Sequence, residues 1–187
     1  MRRILLVSIC LFVGNILKAQ LTKVIPASAA FADSLSRVAQ DFRYNYYNIQ
    51  SELIISQNDM ETFQSNISLP GSKNCLIYRF HSTVDTTAAW QATMYQGESY
   101  RDALKAYKNT CRQVERSKLH LGSSIAGFTG RMDEPDPNVR FVSSEFKLNS
   151  KEEAFSLFYA EVEMILTGME EWEVHLNLHN KKDDEDK

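Results

Sequence analysis

Residues 150–168 read SKEEAFSLFYAEVEMILTG, and the fold turns on them. Ser150 followed three residues later by Glu153 has the form of a capping box. Ala154, Phe155, Phe158, Val162 and Ile165 then recur at three- and four-residue spacing, and Gly168 stands where a helix would stop. This spacing predicts a helix, the third of the chain. The first runs from Ser28 to about Asn48, where Phe31, Leu35, Val38, Phe42, Tyr46 and Ile49 form one stripe. The second is capped by Ser99 with Asp102 three residues on and carries Tyr100, Leu104, Tyr107, Cys111 and Val114 as its apolar side, to about Lys118.

Strands are expected between the helices. Leu76, Tyr78 and Phe80 alternate with Ile77, Arg79 and His81, and after a polar bend Ala88, Trp90, Ala92 and Met94 alternate with Ala89, Gln91, Thr93 and Tyr95: a hairpin. Residues 52–69 read less clearly, with the short run Leu53, Ile54, Ile55, a loose alternation over Phe63, Ser65, Ile67 and Leu69, and a turn at Pro70-Gly71. A strand is expected around Ile125 to Thr129, and another where Val142, Ser144, Phe146 and Leu148 alternate. In a last strand Trp172, Val174, Leu176 and Leu178 make a dry face and Glu173, His175, Asn177 and His179 a wet one. The expected architecture is therefore a single α+β domain, an antiparallel sheet covered on one face by about three helices. Helix two laid over helix three at an offset of 51 residues matches Ser99 with Ser150, Asp102 with Glu153 and the apolar stripes, so two repeated β-β-α units plus an N-terminal helix and a C-terminal strand are also expected. Such units would offer an interface for a homodimer.

The chain of 187 residues is 43% apolar and 24% charged, which excludes collagen-like, low-complexity and wholly disordered classes. Arg2 and Arg3, the apolar run from Ile4 to Val13 and Leu17-Lys18-Ala19 before Gln20 have the layout of a cleaved signal peptide over residues 1–19. The run is too short to span a bilayer, and no integral membrane segment is expected after cleavage. Residues 20–180 would form the domain, exported to a periplasmic or extracellular location, and residues 181–187 a disordered charged tail. Loss of Arg2, Arg3 and Lys18 takes the formal charge from −3 to −6, a poor balance for binding nucleic acid. Asn66-Ile67-Ser68 fits a glycosylation acceptor, relevant only in a eukaryotic secretory pathway.

Export leaves Cys75 and Cys111 where disulfides are permitted, with one bridge or two buried thiols as the alternatives. Gly122-Ser123-Ser124-Ile125-Ala126 imitates a nucleophile elbow, but a helix precedes it where a buried strand is required. Glu173 and His175, two apart on a strand face, would share a metal only if a third ligand came from a neighbouring strand or from the tail; a solvated face is the simpler reading. Phe42, Tyr44, Tyr46 and Tyr47 cannot all lie on one side of a helix, so some aromatic surface is exposed there, and Tyr44 and Tyr47 become candidate binding residues. The expectation is a non-catalytic binding domain with no cofactor, whose partner is an envelope or extracellular protein or ligand; the alternative is a small secreted hydrolase or metal-dependent enzyme.

Overall fold

The structure, a computed structural model, describes residues 28–81 and 86–180. The expected signal peptide, its cleavage site and the expected charged tail lie outside the described residues. Two α-helices, α1 (Ala29–Asp41) and α2 (Tyr100–Arg116), accompany nine strands: β1 (Gln50–Gln57), β2 (Met60–Ser65), β3 (Asn74–His81), β4 (Thr86–Gly97), β5 (Lys118–Leu121), β6 (Ser124–Gly130), β7 (Phe141–Asn149), β8 (Phe158–Leu166) and β9 (Trp172–Asn180). All nine form one sheet in the order β1-β2-β3-β4-β9-β8-β7-β6-β5, each neighbour antiparallel.

This corrects the expected architecture. The described residues are mostly sheet, with two α-helices rather than about three, and the segment that overturns the expectation is 150–168. Ser150 Oγ accepts the N–H of Glu152 at 3.1 Å, closing a local turn instead of capping a helix, and Glu153–Phe155 make a single 3₁₀ turn. β8 follows. Phe158, Ala160, Val162 and Met164 are buried on one face, and β7 and β9 pair with the strand on either side. The helical stripe and the strand alternation share Phe158 and Val162, so the pattern satisfies both periods; the two flanking ladders decide between them. The repeat of two β-β-α units falls with the third helix, because its second helix is a strand.

α2 forms as its sequence indicates. Ser99 Oγ accepts the N–H of Asp102 at 3.2 Å, and Ala103, Tyr107, Thr110, Cys111 and Val114 face the sheet. The helix lies across β4, β9, β8, β7 and β6, which brings the chain from the middle of the sheet to its far edge. A polar knot fixes it there: the Tyr107 hydroxyl meets Ser144 Oγ on β7 at 2.6 Å and donates to Asp133 O at 3.1 Å. α1 is capped by Ser28, buries Phe31, Leu35, Val38 and Ala39, and packs along β5. Its polar side chains close that edge of the sheet. Ser36 Oγ accepts the N–H of His120 and Gln40 Nε2 donates to the carbonyl of His120. At the opposite edge, the outer side of β1 has no strand beside it among the described residues, and Leu53, Ile54 and Ile55 are half-exposed. Two bulges, one on each side of Leu53, break the β1 ladder with β2.

The dry face under the helices is Trp90 and Ala92 on β4, Val174, Leu176 and Leu178 on β9, β8 as above, Phe146 and Leu148 on β7, and Leu119 and Leu121 on β5. The thiols of Cys75 on β3 and Cys111 on α2 are free and buried. Burial pushes the Cys111 thiol up to about 12, which keeps it protonated and unreactive. No described helix is long and apolar enough to cross a membrane.

Candidate functional site

α1 ends seven residues earlier than its apolar stripe suggests, and the cause is Asp41. Its buried carboxylate accepts the backbone N–H groups of Asn48 and Ile49 at 3.1 and 3.3 Å and the Asn48 side-chain amide at 2.6 Å. The chain folds back over it through a 3₁₀ turn, Phe42–Tyr44, followed by Asn45 at φ 50° and Tyr46 at φ 60°. Asn tolerates the left-handed region; for Tyr it costs about 1–2 kcal/mol. Burial of the Tyr46 ring offsets that cost. The ring is fully enclosed and its hydroxyl donates to the carbonyl of Leu178 on β9 at 3.0 Å. Burial, with the charge of Asp41 adding to it, holds the phenol far above its ordinary range, so it remains a donor.

With Tyr46 pinned inward, the turn presents its neighbours outward. Tyr44 is 60% and Tyr47 58% exposed, on a segment whose backbone is fixed by the bonds from Asn45 N–H to Phe42 O, Tyr46 N–H to Asp41 O and Tyr47 N–H to Tyr44 O. Phe42 is half-buried against Phe158 and Phe155. The four aromatics therefore divide into one core residue, one packed at the core margin and two on the surface.

Beneath Tyr47 lies a residue that the sequence reading did not single out. Arg79 on β3 is 2% exposed and points to the dry side of the sheet. Its guanidinium carbon sits 3.7 Å from the centre of the Tyr47 ring and 5.8 Å from that of Phe63 on β2. Nη2 donates to Asn45 O at 3.0 Å and to Gln50 Oε1 at 2.7 Å, whereas Nε and Nη1 are buried with no acceptor among the described residues. Glu61 stands directly opposite Arg79 in the β2–β3 register, yet its carboxylate turns to His81 Nε2 at 2.9 Å, and among the described residues Arg79 makes no ion pair. A buried cation without a carboxylate is costly, and the stacked rings return only about 1–2 kcal/mol. The only sequence signal was an arginine in the alternation Ile77, Arg79, His81, and the opposite set, Leu76, Tyr78, Phe80, is the more apolar one.

The other face of the sheet is open and polar. Tyr78 Oη donates to Gln91 Oε1 at 3.2 Å, Gln91 Nε2 to Asn177 Oδ1 at 2.8 Å, and Asn177 Nδ2 to Glu163 Oε2 at 2.7 Å, a chain of side-chain bonds crossing β3, β4, β9 and β8. Burial, reinforced by the nearby Glu161, raises the Glu163 carboxyl. Glu173 and His175 occupy this face and bond to each other, Oε2 to Nε2, at 3.1 Å. Among the described residues, no group of three His, Cys, Asp or Glu side chains is placed to hold a metal ion. Beside them Glu161 takes a hydrogen bond from Ser143 Oγ through one oxygen and contacts His179 Nε2 at 3.2 Å through the other. The carboxylate thus stands between serine and histidine, whereas a nucleophilic triad requires the histidine there.

His179 offers a test of this face. Its hydrogen bond to Glu161 raises its pKa against the opposing effect of burial, and Nδ1 lies 3.2 Å from Asn180 O, so the imidazolium has an acceptor at each nitrogen. A folded-state pKa above the unfolded value gives stability that is complete below the unfolded pKa of about 6.5 and is lost as pH rises through the folded one. The urea midpoint of the native protein should therefore exceed that of His179→Gln by more at about pH 5.5 than at about pH 8.5. Equal gaps at both values would contradict the assignment.

No family model, no curated protein and no solved structure matches this chain.

Proposed function

We propose that this chain is an exported, non-catalytic domain that acts by binding a protein or ligand through the loop bearing Tyr44 and Tyr47. The observation that carries the reading is the pair of tyrosines, each more than half exposed, on a backbone immobilised by Asp41 and Tyr46. A solvent-facing aromatic on a fixed backbone loses little conformational freedom on contact and buries a large area, which is why Tyr is enriched among residues that dominate interfaces. The half-exposed Leu53, Ile54 and Ile55 follow within a few residues of the loop and extend the apolar surface along β1. The basic-then-apolar start of the chain supports export.

The test is affinity capture from the envelope and medium of the source organism with the tagged protein, beside Tyr44→Ala and Tyr47→Ala. Each substitution should reduce retention of the captured partner by about tenfold or more, since residues of this type contribute roughly 2 kcal/mol or more when they anchor an interface. Retention unchanged in both variants would place the contact surface elsewhere. Sequencing of the protein recovered from whole cultures of its source organism should find Gln20 at its N-terminus; a start at Met1 would overturn the reading of a cleaved signal peptide.

A further inference from the structure

We propose that Arg79 and Tyr47 form a gated site for a carboxylate group of the ligand. The inference rests on the reading of the 44–47 loop as the contact surface and adds the chemistry that surface selects. Arg79 is buried, permanently charged and, among the described residues, supplied with only two acceptors, both on Nη2; the N–H groups at Nε and Nη1 meet no acceptor there. Both existing acceptors, Asn45 O and Gln50 Oε1, are neutral. An arginine held for packing alone would have its donors satisfied or its charge matched, because either deficit is unfavourable in the interior. What completes this one is an anionic acceptor.

Of the two rings against the guanidinium, Phe63 is buried and the nearer one, Tyr47, is itself largely in solvent. Tyr47 stacks on Arg79 at 3.7 Å, while the polypeptide on either side is held by Asp41. Rotation of that one side chain opens the cation without moving the backbone. The class of anion follows from the surrounding charge. Arg79 is the one cation among Asn45, Tyr47, Gln50, Glu61 and Phe63, and Glu61, though engaged by His81, stands opposite it in the register. A single guanidinium beside a carboxylate suits a monoanion; a phosphate dianion calls for further positive charge. The occupant is thus the carboxylate of a peptide or small organic acid, with its body against Tyr47 and Tyr44.

The experiment observes the Arg79 Nε–Hε resonance of the nitrogen-15-labelled native protein during titration with acetate, and separately with inorganic phosphate, at constant ionic strength. Acetate should shift that resonance saturably, with phosphate giving a smaller shift at equal concentration. Glu61→Gln should tighten acetate binding about threefold or more by removing the neighbouring charge, and Tyr47→Ala should tighten it by removing the cover, since acetate, unlike the captured partner, has no body to rest on that ring. Arg79→Lys, which keeps the charge but loses the planar donor set, should weaken acetate-dependent thermal stabilisation about tenfold. No shift with either anion would overturn the site; a larger response to phosphate would overturn the carboxylate assignment. Neither outcome affects the capture experiment, which tests the loop by Tyr44 as well as Tyr47.

Discussion

Ala160→Glu should abolish the native state or reduce its stability by about 4 kcal/mol or more, whereas Glu161→Ala beside it should change stability by less than about 1 kcal/mol. Ala160 lies on β8 with no exposed surface, paired with Phe146 on β7 and Leu178 on β9, and its methyl group faces the layer beneath α2. A carboxylate introduced there would have no cation to meet and no volume to occupy. Glu161 points to the open face, where its loss frees Ser143 and His179 to bond with water. Urea unfolding of the two variants beside the native protein measures the contrast. In a helix over 150–168 whose apolar stripe is Phe155, Phe158, Val162 and Ile165, position 160 would lie off the stripe, and Ala160→Glu would be tolerated. A native-like midpoint for Ala160→Glu would therefore restore the helix and dismantle the nine-stranded sheet.

Gly130→Ala should cost about 3 kcal/mol, well above Gly122→Ala at about 1–2 kcal/mol. Gly130 ends β6 opposite Phe146, and a Cβ built on it would lie 2.2 Å from Glu145 O and 2.9 Å from the Phe146 Cα. Both atoms belong to the backbone of β7, so the added methyl group can be accommodated only by separating β6 from β7 at that end. Gly122, in the β5–β6 turn, has a positive φ of 61° and open space around it, so its penalty is one of conformation alone. The two midpoints, measured in the same buffer, distinguish a clash from a backbone preference. Equal losses would mean that β6 and β7 approach less closely than described.

Much of the sheet is legible in the sequence, and the exceptions have physical reasons. The alternation of Trp172, Val174, Leu176 and Leu178 with Glu173, His175, Asn177 and His179 corresponds residue by residue to the dry and wet faces of β9. Ser99 caps α2 as its spacing with Asp102 indicates. Residues 150–168 mislead because Phe158 and Val162 serve both a helical stripe and a strand face, and the information that separates the two lies in β7 and β9. The β1–β2 hairpin is faint for another reason: its turn is only Asn58-Asp59, with Asn58 at φ 53°, and β1 presents Leu53, Ile54 and Ile55 without a clean alternation because bulges interrupt it. Of the candidate site, the surplus of aromatics over one helix face was visible, and Tyr44 and Tyr47 are the exposed members. Arg79 was hidden because the apolar content of β3 favours the opposite face, and its inward orientation follows from the pairing of β3 with β2 and β4.

The two ends of the sheet are not equivalent, and this constrains how the molecule can meet others of its kind. Ser36 and Gln40 of α1 occupy the peptide groups of His120 that a tenth strand would need, so β5 is closed to extension. Among the described residues, strand addition is confined to β1. Two copies joined there would each have spent the open border of the described sheet, and the product would carry a sealed border at both extremities. Pairing of this kind terminates at two, whereas a sheet open at both ends can propagate into a fibril.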